Sequence, residues 1–532
     1  MTATHTLDGL SLTLGQIAEV SRSDRFTPTL TEGARTAMSA SVAVRDDLLA
    51  QGVPIYGVNT GFGDNCFRQI DAARSHRLQT NLITYHLNGV GPDASADVAR
   101  AAMLIRANTL ARGVSGIRPE VVDLLLAMIT HGITPRIPER GSLGASGDLV
   151  PLCYVVDAMT GSGDLLAPAD TSAATALRDA GLEPVTLGPK EGLALINGTS
   201  FTSAFAALTA ADASMLAVAA DLCTAMTCEV LLGNPSHFGP FPHAQKPHAG
   251  QVASAALVHH TLGSSKLTAE HHRTAQTARR HGTGVVELDR RIQEKYSVRC
   301  APHVVGVLRD TLTWVEEWLT TEVNSATDNP LFDATDGTMH LGGNFYAGHV
   351  GHAMDALKLA VANVADLLDR QLALVVDEKF NEGLPANLAA PSGADAEDLH
   401  HGFKGMQIAC SAVTAEILSM TMPSTAFSRS TESHNQDKVS IGTVAARTAR
   451  TITQLTARVV AIHLLALAQA LDLRGIEHCG PGTAAVHARV RERAAFVDRD
   501  RSLEPDIEAV ADLVLSGGLD SLAAPAPAGS AH

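Results

Sequence analysis

Amino-acid side chains supply nucleophiles, acids and bases, but no strong electrophile. The run Gly144-Ala145-Ser146-Gly147-Asp148 holds the atoms to make one. The amide nitrogen of Gly147 can attack the carbonyl carbon of Ala145. Loss of water, including the Ser146 hydroxyl, then leaves a methylidene-imidazolone ring. Each residue type has a physical reason to be there: Gly presents an unhindered nitrogen, Ser provides the departing hydroxyl, and Ala is small enough for a strained turn. Such a ring is an electron sink, which a protein needs to expel ammonia while removing an unactivated β-hydrogen. Alone, an Ala-Ser-Gly tripeptide is an ordinary turn. Other chemistries find less support. No phosphate-binding loop is present, and the Gly-x-Gly turns lack the strand–turn–helix setting of a dinucleotide site. Among 23 histidines, His237, His243 and His248 fall close together. Their spacing fits no zinc signature and lacks Cys or acidic partners, so no metal is expected.

The elements that must position this tripeptide are legible in outline. Residues 1–195 carry Gly-rich turns at Gly57-Val58-Asn59-Thr60-Gly61-Phe62-Gly63, Asn88-Gly89-Val90-Gly91 and Gly141–Gly147. Glycine at that density marks backbone that turns tightly or approaches another group closely. Residues 196–475 become long and helical, with runs at 346–380, 404–421 and 442–473. Asp355, Lys358, Asp366, Asp369 and Arg370 give polar faces between apolar stripes, as packed bundle helices require. The Ala-rich stretch Ser200–Leu232 carries Asp212 and Asp221 well inside, with nothing basic flanking it. It is expected as a buried helix of a soluble protein rather than a membrane span. A C-terminal helical region over 476–521 and a disordered Ala/Pro/Gly/Ser tail at 522–532 complete the chain. The expected fold is mainly α, a long central bundle with a smaller N-terminal cap bearing the Ala145–Gly147 loop.

Composition agrees. Aromatic residues make up 4% of 532, and the apolar share rests on helix-compatible Ala, Leu and Val. A net charge of -16 argues against a nucleic-acid partner, which would need a surplus of Lys and Arg. The seven cysteines are scattered and odd in number. Met1–Leu12 has no basic stretch followed by an apolar core. Reduced thiols and a cytoplasmic setting are the expectation.

The run Gly141-Ser142-Leu143-Gly144-Ala145-Ser146-Gly147-Asp148-Leu149-Val150-Pro151-Leu152 resembles the signature of the histidine, phenylalanine and tyrosine ammonia-lyase family, which includes related aminomutases. The resemblance spans about residues 10 to 515. It recurs at Tyr56–Gly63, Lys190–Thr199, Tyr296–Cys300, Asp328-Asn329-Pro330, Gly342-Gly343-Asn344-Phe345 and Asn435-Gln436-Asp437. It implies an autocatalytic methylidene-imidazolone (MIO) from Ala145-Ser146-Gly147, with no metal or external cofactor. It also implies a homotetramer whose sites each draw residues from three subunits. Tyr56 is by resemblance the catalytic base. An ordinary phenol near pKa ~10 is a poor base at neutral pH, so either its surroundings stabilise phenolate or the enzyme works in alkali. Arg299 would grip the substrate carboxylate with its planar fork, assisted by Asn329. Tyr296 would help move protons near the ring, Asn197 and Gln436 would hold ring and substrate, and Phe345 would pack against the ring.

The family's selectivity pair falls on Tyr85-His86. Phenylalanine lyases resemble Phe-Leu here, tyrosine lyases His-Leu and histidine lyases Ser-His, so this chain departs from all three. Two polar-tipped aromatics favour a ring with a hydrogen-bonding group, because burying them unpaired costs about 1–3 kcal/mol. Gln436 stands where histidine lyases resemble a carboxylate, and Glu432 fits the phenylalanine-lyase pattern. Tyrosine is the favoured substrate, then phenylalanine, with histidine and an aminomutase outcome left open. A fumarase-like Ser loop is not matched, since Gly263-Ser264-Ser265-Lys266 lacks the Met-Pro-Lys continuation. A non-catalytic homologue would be expected to lose Ser146, Tyr56 or Arg299, and all three are present.

Overall fold

The computed structural model describes residues 3–23, 25–270, 278–280, 282, 284–288, 291–390 and 399–523. Of the expected tail, all but Leu522 and Ala523 lie outside the described residues. Helix accounts for 59% of the chain. Strands occur only as two-stranded ladders among the described residues, so the fold is mainly α, as the composition led one to expect.

Two compact units emerge: Met1–Ala211 with Val315–Ala356 and Pro423–Arg450, and Asp212–Trp314 with Leu357–Met422 and Thr451–His532. The division is discontinuous and does not follow the contiguous blocks 1–195, 196–475 and 476–521. Four of its five boundaries fall inside long helices, so neither unit is a continuous stretch of chain.

In the first unit, α1 (Ser75–His86) buries Ser75, Gln79, Leu82 and Ile83. That helical spacing makes one inward face, and Tyr85 and His86 end the helix. In α2 (Ala96–Leu110) every residue from Val98 to Leu110 is buried, so its polar groups must find partners inside. The helices α3 (Leu149–Met159) and α4 (Glu191–Ile196) start and end beside site loops. The hairpin β1 (Leu331–Asp333) and β2 (Thr338–His340) is antiparallel.

The long helices are α5 (Ser200–Val230), α7 (Ala301–Val323), α8 (Gly348–Val376) and α10 (Gly442–Arg474); α6 (Tyr296–Arg299) and α9 (Lys404–Ser419) lie in the second unit. α8, α9 and α10 match the three helical runs expected from periodicity. α5 and α10 are apolar enough to cross a membrane, yet 78% of each apolar window is buried in the protein. Core packing accounts for their composition. Asp221 of α5, fully buried, is held by Arg309 at 2.7 Å and by Ser254, as an interior charge requires.

Candidate active site

The loop that precedes α3 is fixed from both sides. The Ser440 hydroxyl donates to the Gly144 carbonyl at 2.9 Å, and the Ile441 amide donates to the Leu143 carbonyl at 2.9 Å. On the other side the Asp148 amide donates to the Gly198 carbonyl at 2.7 Å. The Asp148 carboxylate, fully buried, accepts from Ser142 (2.9 Å), Thr443 (2.9 Å), and both the amide and hydroxyl of Thr202 (2.7 Å each). Burial pushes its pKa up, opposed by these donors. One of them, the Thr202 amide, belongs to the first turn of α5, where a carboxylate is favoured by the helix dipole. Gly147 has φ +76°, and a Cβ there would lie 2.2 Å from the Gly198 nitrogen. Only glycine fits. The Asn197 side-chain amide donates to the Ser146 carbonyl at 2.7 Å. That carbonyl would become the conjugated oxygen of an MIO ring, so a donor aimed at it would make the ring more electrophilic. The residues present fit the group. Beneath them Arg106, whose pKa is pulled down to about 10 by burial, donates to the carbonyls of Asn197 at 3.2 Å, Thr327 at 3.1 Å and Ala194.

The Tyr56 loop is held as tightly. Gln79 of α1 donates to the Gly57 carbonyl at 2.8 Å and accepts from the Leu193 amide at 2.9 Å. Asn59 closes the turn on the Ile55 amide at 2.6 Å. The Tyr56 hydroxyl accepts a hydrogen bond from the Gly63 amide at 3.0 Å. Across from it, Glu432, Ser433 and His434 adopt φ of +50°, +54° and +63°, three consecutive non-glycine residues in left-handed backbone. Such strain costs about 1–3 kcal/mol per residue and concentrates at functional sites. Here it accompanies a Glu432 carboxylate lying against Gly63, where it accepts from the Asp64 amide at 3.2 Å.

These parts border a cavity of about 520 Å³, within the roughly 300–1,000 Å³ common for small-molecule sites. Of the residues expected from sequence, Tyr56, Ala145, Ser146 and Asn197 line it, and Gly147 is not among its lining residues. Tyr85, His86, Asn329, Phe345, Glu432 and Gln436 join them. Phe345 is half-buried at the wall rather than a core residue. The Asn329 side-chain oxygen accepts from the Gly342 amide at 2.8 Å, and buried Lys190 pairs with neighbouring Asp328. Tyr296 and Arg299 are not among the lining residues. Tyr296 is 73% exposed, and the Arg299 guanidinium lies 4.7 Å from its ring centroid. Phe62 and Asn435, inside motifs already quoted, and Tyr346 and Lys438, each next to one, also line the wall without having been assigned a role. Position in or beside those motifs was the available signal.

The Aromatic amino acid lyase family model matches residues 12–492. The chain belongs to this family. It is 40% identical over 522 residues to a histidine ammonia-lyase of Anaeromyxobacter sp. (strain K), covering 97% of this chain and 99% of that one. It is 39% identical to a tyrosine ammonia-lyase of Cupriavidus metallidurans, covering 96% of each. The solved tyrosine aminomutase of Streptomyces globisporus superposes with a TM-score of 0.90 at 34% identity, over 98% of both chains. As an aromatic amino acid lyase the chain is an enzyme acting on carbon–nitrogen bonds. Within this lyase, burial pushes the Tyr56 phenol above its ordinary value; the Gly63 amide opposes the rise, while the Glu432 and Cys66 charges add to it. His86 is driven the other way: burial lowers its pKa, with the Leu82 carbonyl opposing.

Proposed function

We propose that this lyase eliminates ammonia from an aromatic L-amino acid whose ring carries a hydrogen-bond donor, tyrosine foremost, to give the trans-arylacrylate. The observation that carries this reading is the state of His86. Its Nδ1 lies 2.9 Å from the Leu82 carbonyl, which can only accept. Nδ1 therefore holds the proton, and a neutral ring offers Nε2 as an acceptor. The lowered pKa keeps the ring neutral at working pH. A phenol hydroxyl satisfies that acceptor; a phenyl ring leaves it unpaired. Changing His86 to Leu is expected to reduce kcat/KM for tyrosine relative to phenylalanine by about 5- to 150-fold, the roughly 1–3 kcal/mol cost of a lost buried partner. Product absorbance on tyrosine, phenylalanine and histidine assayed side by side tests it; unchanged ratios would remove His86 from selectivity.

The MIO ring expected from Ala145-Ser146-Gly147 supplies the electron sink that turns the substrate nitrogen into a leaving group. The chain's own residues do the rest. Tyr56, as phenolate, takes the β-proton, and the Gly63 amide stabilises that anion. Because the raised Tyr56 pKa keeps the phenol protonated at neutral pH, kcat/KM should climb with pH, about tenfold per unit on the acid side of the transition. Glu432→Gln keeps the acceptor for the Asp64 amide but removes a negative charge facing Tyr56. A lowered Tyr56 pKa then moves the rising limb to lower pH. A limb that stays put, or moves upward, counts against both assignments.

Arg299, with Tyr296 beside it, is proposed to clamp the carboxylate together with Asn329, and Gln436 to hold the substrate. Since neither Arg299 nor Tyr296 lines the cavity, we take them to reach a neighbouring subunit's cavity in a homotetramer. Exposed apolar residues on second-unit helices support burial in an assembly: Val307 on α7, Leu359 on α8, and Ile408 and Leu418 on α9. Histidine is the second reading, because its ring N–H could also serve His86 and the histidine ammonia-lyase relative is 40% identical. Turnover of histidine alone would favour it, and product bearing the amine on the β-carbon would identify an aminomutase.

A further inference from the structure

α6 is four residues long, with no side-chain cap at its N-terminus. A single turn of this length has no stability of its own, yet it carries both Tyr296 and Arg299. Its Val298 side chain is buried, and contacts from Gln371 and Phe380 hold it and the residues just before it. The Gln371 side-chain amide, from α8, donates to the Ser297 carbonyl at 2.9 Å. On the outer side the Lys295 ammonium lies 5.2 Å from the Phe380 ring centroid, and the Arg291 guanidinium lies 5.7 Å from the same centroid.

Gln371 is fully buried, and its orientation is determined. The Ser297 carbonyl accepts only, so the NH₂ end must face it. That leaves the Gln371 oxygen toward Thr227, at 3.3 Å, and toward Nε2 of His463, at 3.2 Å. The same NH₂ also donates to Thr224 at 3.0 Å. His463 is fully buried, and burial depresses its pKa to about 3, so the ring is neutral at working pH. Nε2 of His463 lies within reach of both the Gln371 oxygen, at 3.2 Å, and the Thr227 hydroxyl, at 3.0 Å, so a buried polar cluster holds the Gln371 side chain with its NH₂ toward the Ser297 carbonyl.

We propose that Gln371 is a positioning residue for the substrate-carboxylate clamp: through its bond to the Ser297 carbonyl it sets where Arg299 presents its guanidinium. The proposal rests on the assignment of Arg299 to the carboxylate. The Nε of Arg299 is buried with no hydrogen-bond partner, so α6 itself, rather than a bond to that nitrogen, must aim the group. Gln371 thus acts two residues upstream of the group it aims, and has no contact with substrate in this role.

Gln371→Met keeps the volume and removes the donor. It should raise KM about tenfold, the scale on which a misplaced binding group is felt, with a smaller change in kcat. On an Arg299→Ala background the same change should add nothing further to KM, because a residue acting through Arg299 has nothing left to aim. Phe380→Leu, at a half-buried position, loosens the outer hold and should raise KM in the same direction; it carries the test if the core variant fails to fold. KM raised by Arg299→Ala but unmoved by Gln371→Met and Phe380→Leu overturns the proposal alone, as does full additivity with Arg299→Ala. KM unchanged in Arg299→Ala itself overturns the carboxylate assignment and the proposal with it.

Discussion

Replacing Ser146 with Ala should leave a folded, assembled protein whose turnover falls by more than about 10³-fold, the scale set by removing a covalent catalytic group. Folding is spared for a structural reason. The Ser146 hydroxyl makes no hydrogen bond among the described residues, and the Asn197 bond goes to the backbone carbonyl, which Ala keeps. Such a substitution ordinarily shifts stability by no more than about 0.5 kcal/mol. Catalysis is lost because Ala has no hydroxyl to eliminate, so no exocyclic methylidene can form. Intact-mass measurement gives the complementary result: wild-type protein lighter than its encoded mass by two waters, and Ser146→Ala at the encoded mass. Active wild-type enzyme at its full encoded mass would falsify the electrophile assignment.

How far the sequence discloses this site depends on what each residue must satisfy. Gly57 and Gly147 are legible because left-handed backbone and close approach admit no other residue, and the structure shows Cβ collisions at both. Tyr85-His86 could be located by spacing from the Gly89-Val90-Gly91 turn, and both residues line the cavity. What the sequence does not display is burial of charge. Nothing in the letters marks Asp148 as a fully buried acceptor, Arg106 as the support beneath Asn197, or Lys190 as the partner of Asp328. Each becomes functional only when distant segments meet. The same holds for Gln371, which on periodicity is one more polar position in α8. The contiguous blocks 1–195, 196–475 and 476–521 and the two compact units divide the chain differently. A contiguous block is the natural unit of a sequence, whereas the helices α5, α7, α8 and α10 each contribute to both compact units. Glu432, read first as a substrate contact, is also placed by three left-handed residues against the Tyr56 loop, a geometry that no side-chain pattern announces.

The division between Tyr56 and Arg299 leads to the second large effect. Tyr56 belongs to the first unit and lines the cavity; Arg299 belongs to the second and does not. Taken singly, Tyr56→Phe removes the proposed proton acceptor and should abolish most turnover, and Arg299→Ala removes the proposed carboxylate clamp and should raise KM so far that little activity remains at substrate concentrations near the wild-type KM. Suppose the two inactive proteins are dissociated and reassembled together in equal amounts. If each site takes Tyr56 from one subunit and Arg299 from another, intact Tyr56 arrives half the time and intact Arg299 independently half the time. About a quarter of the sites, and so about a quarter of wild-type activity, should return in a randomly mixed symmetric oligomer. If both residues came from one chain, no site in the mixture could carry both, and activity would stay at the level of the separate variants. Light scattering on the remixed sample must show the same assembled mass as wild type, so that silence cannot be blamed on failed assembly. A correctly assembled but inactive mixture would therefore place Arg299 and Tyr56 in one subunit's site and remove the reason for a shared one. Dilution offers an independent check, since sites built between subunits lose activity as the oligomer dissociates, whereas a monomer that retains full activity contradicts the shared site.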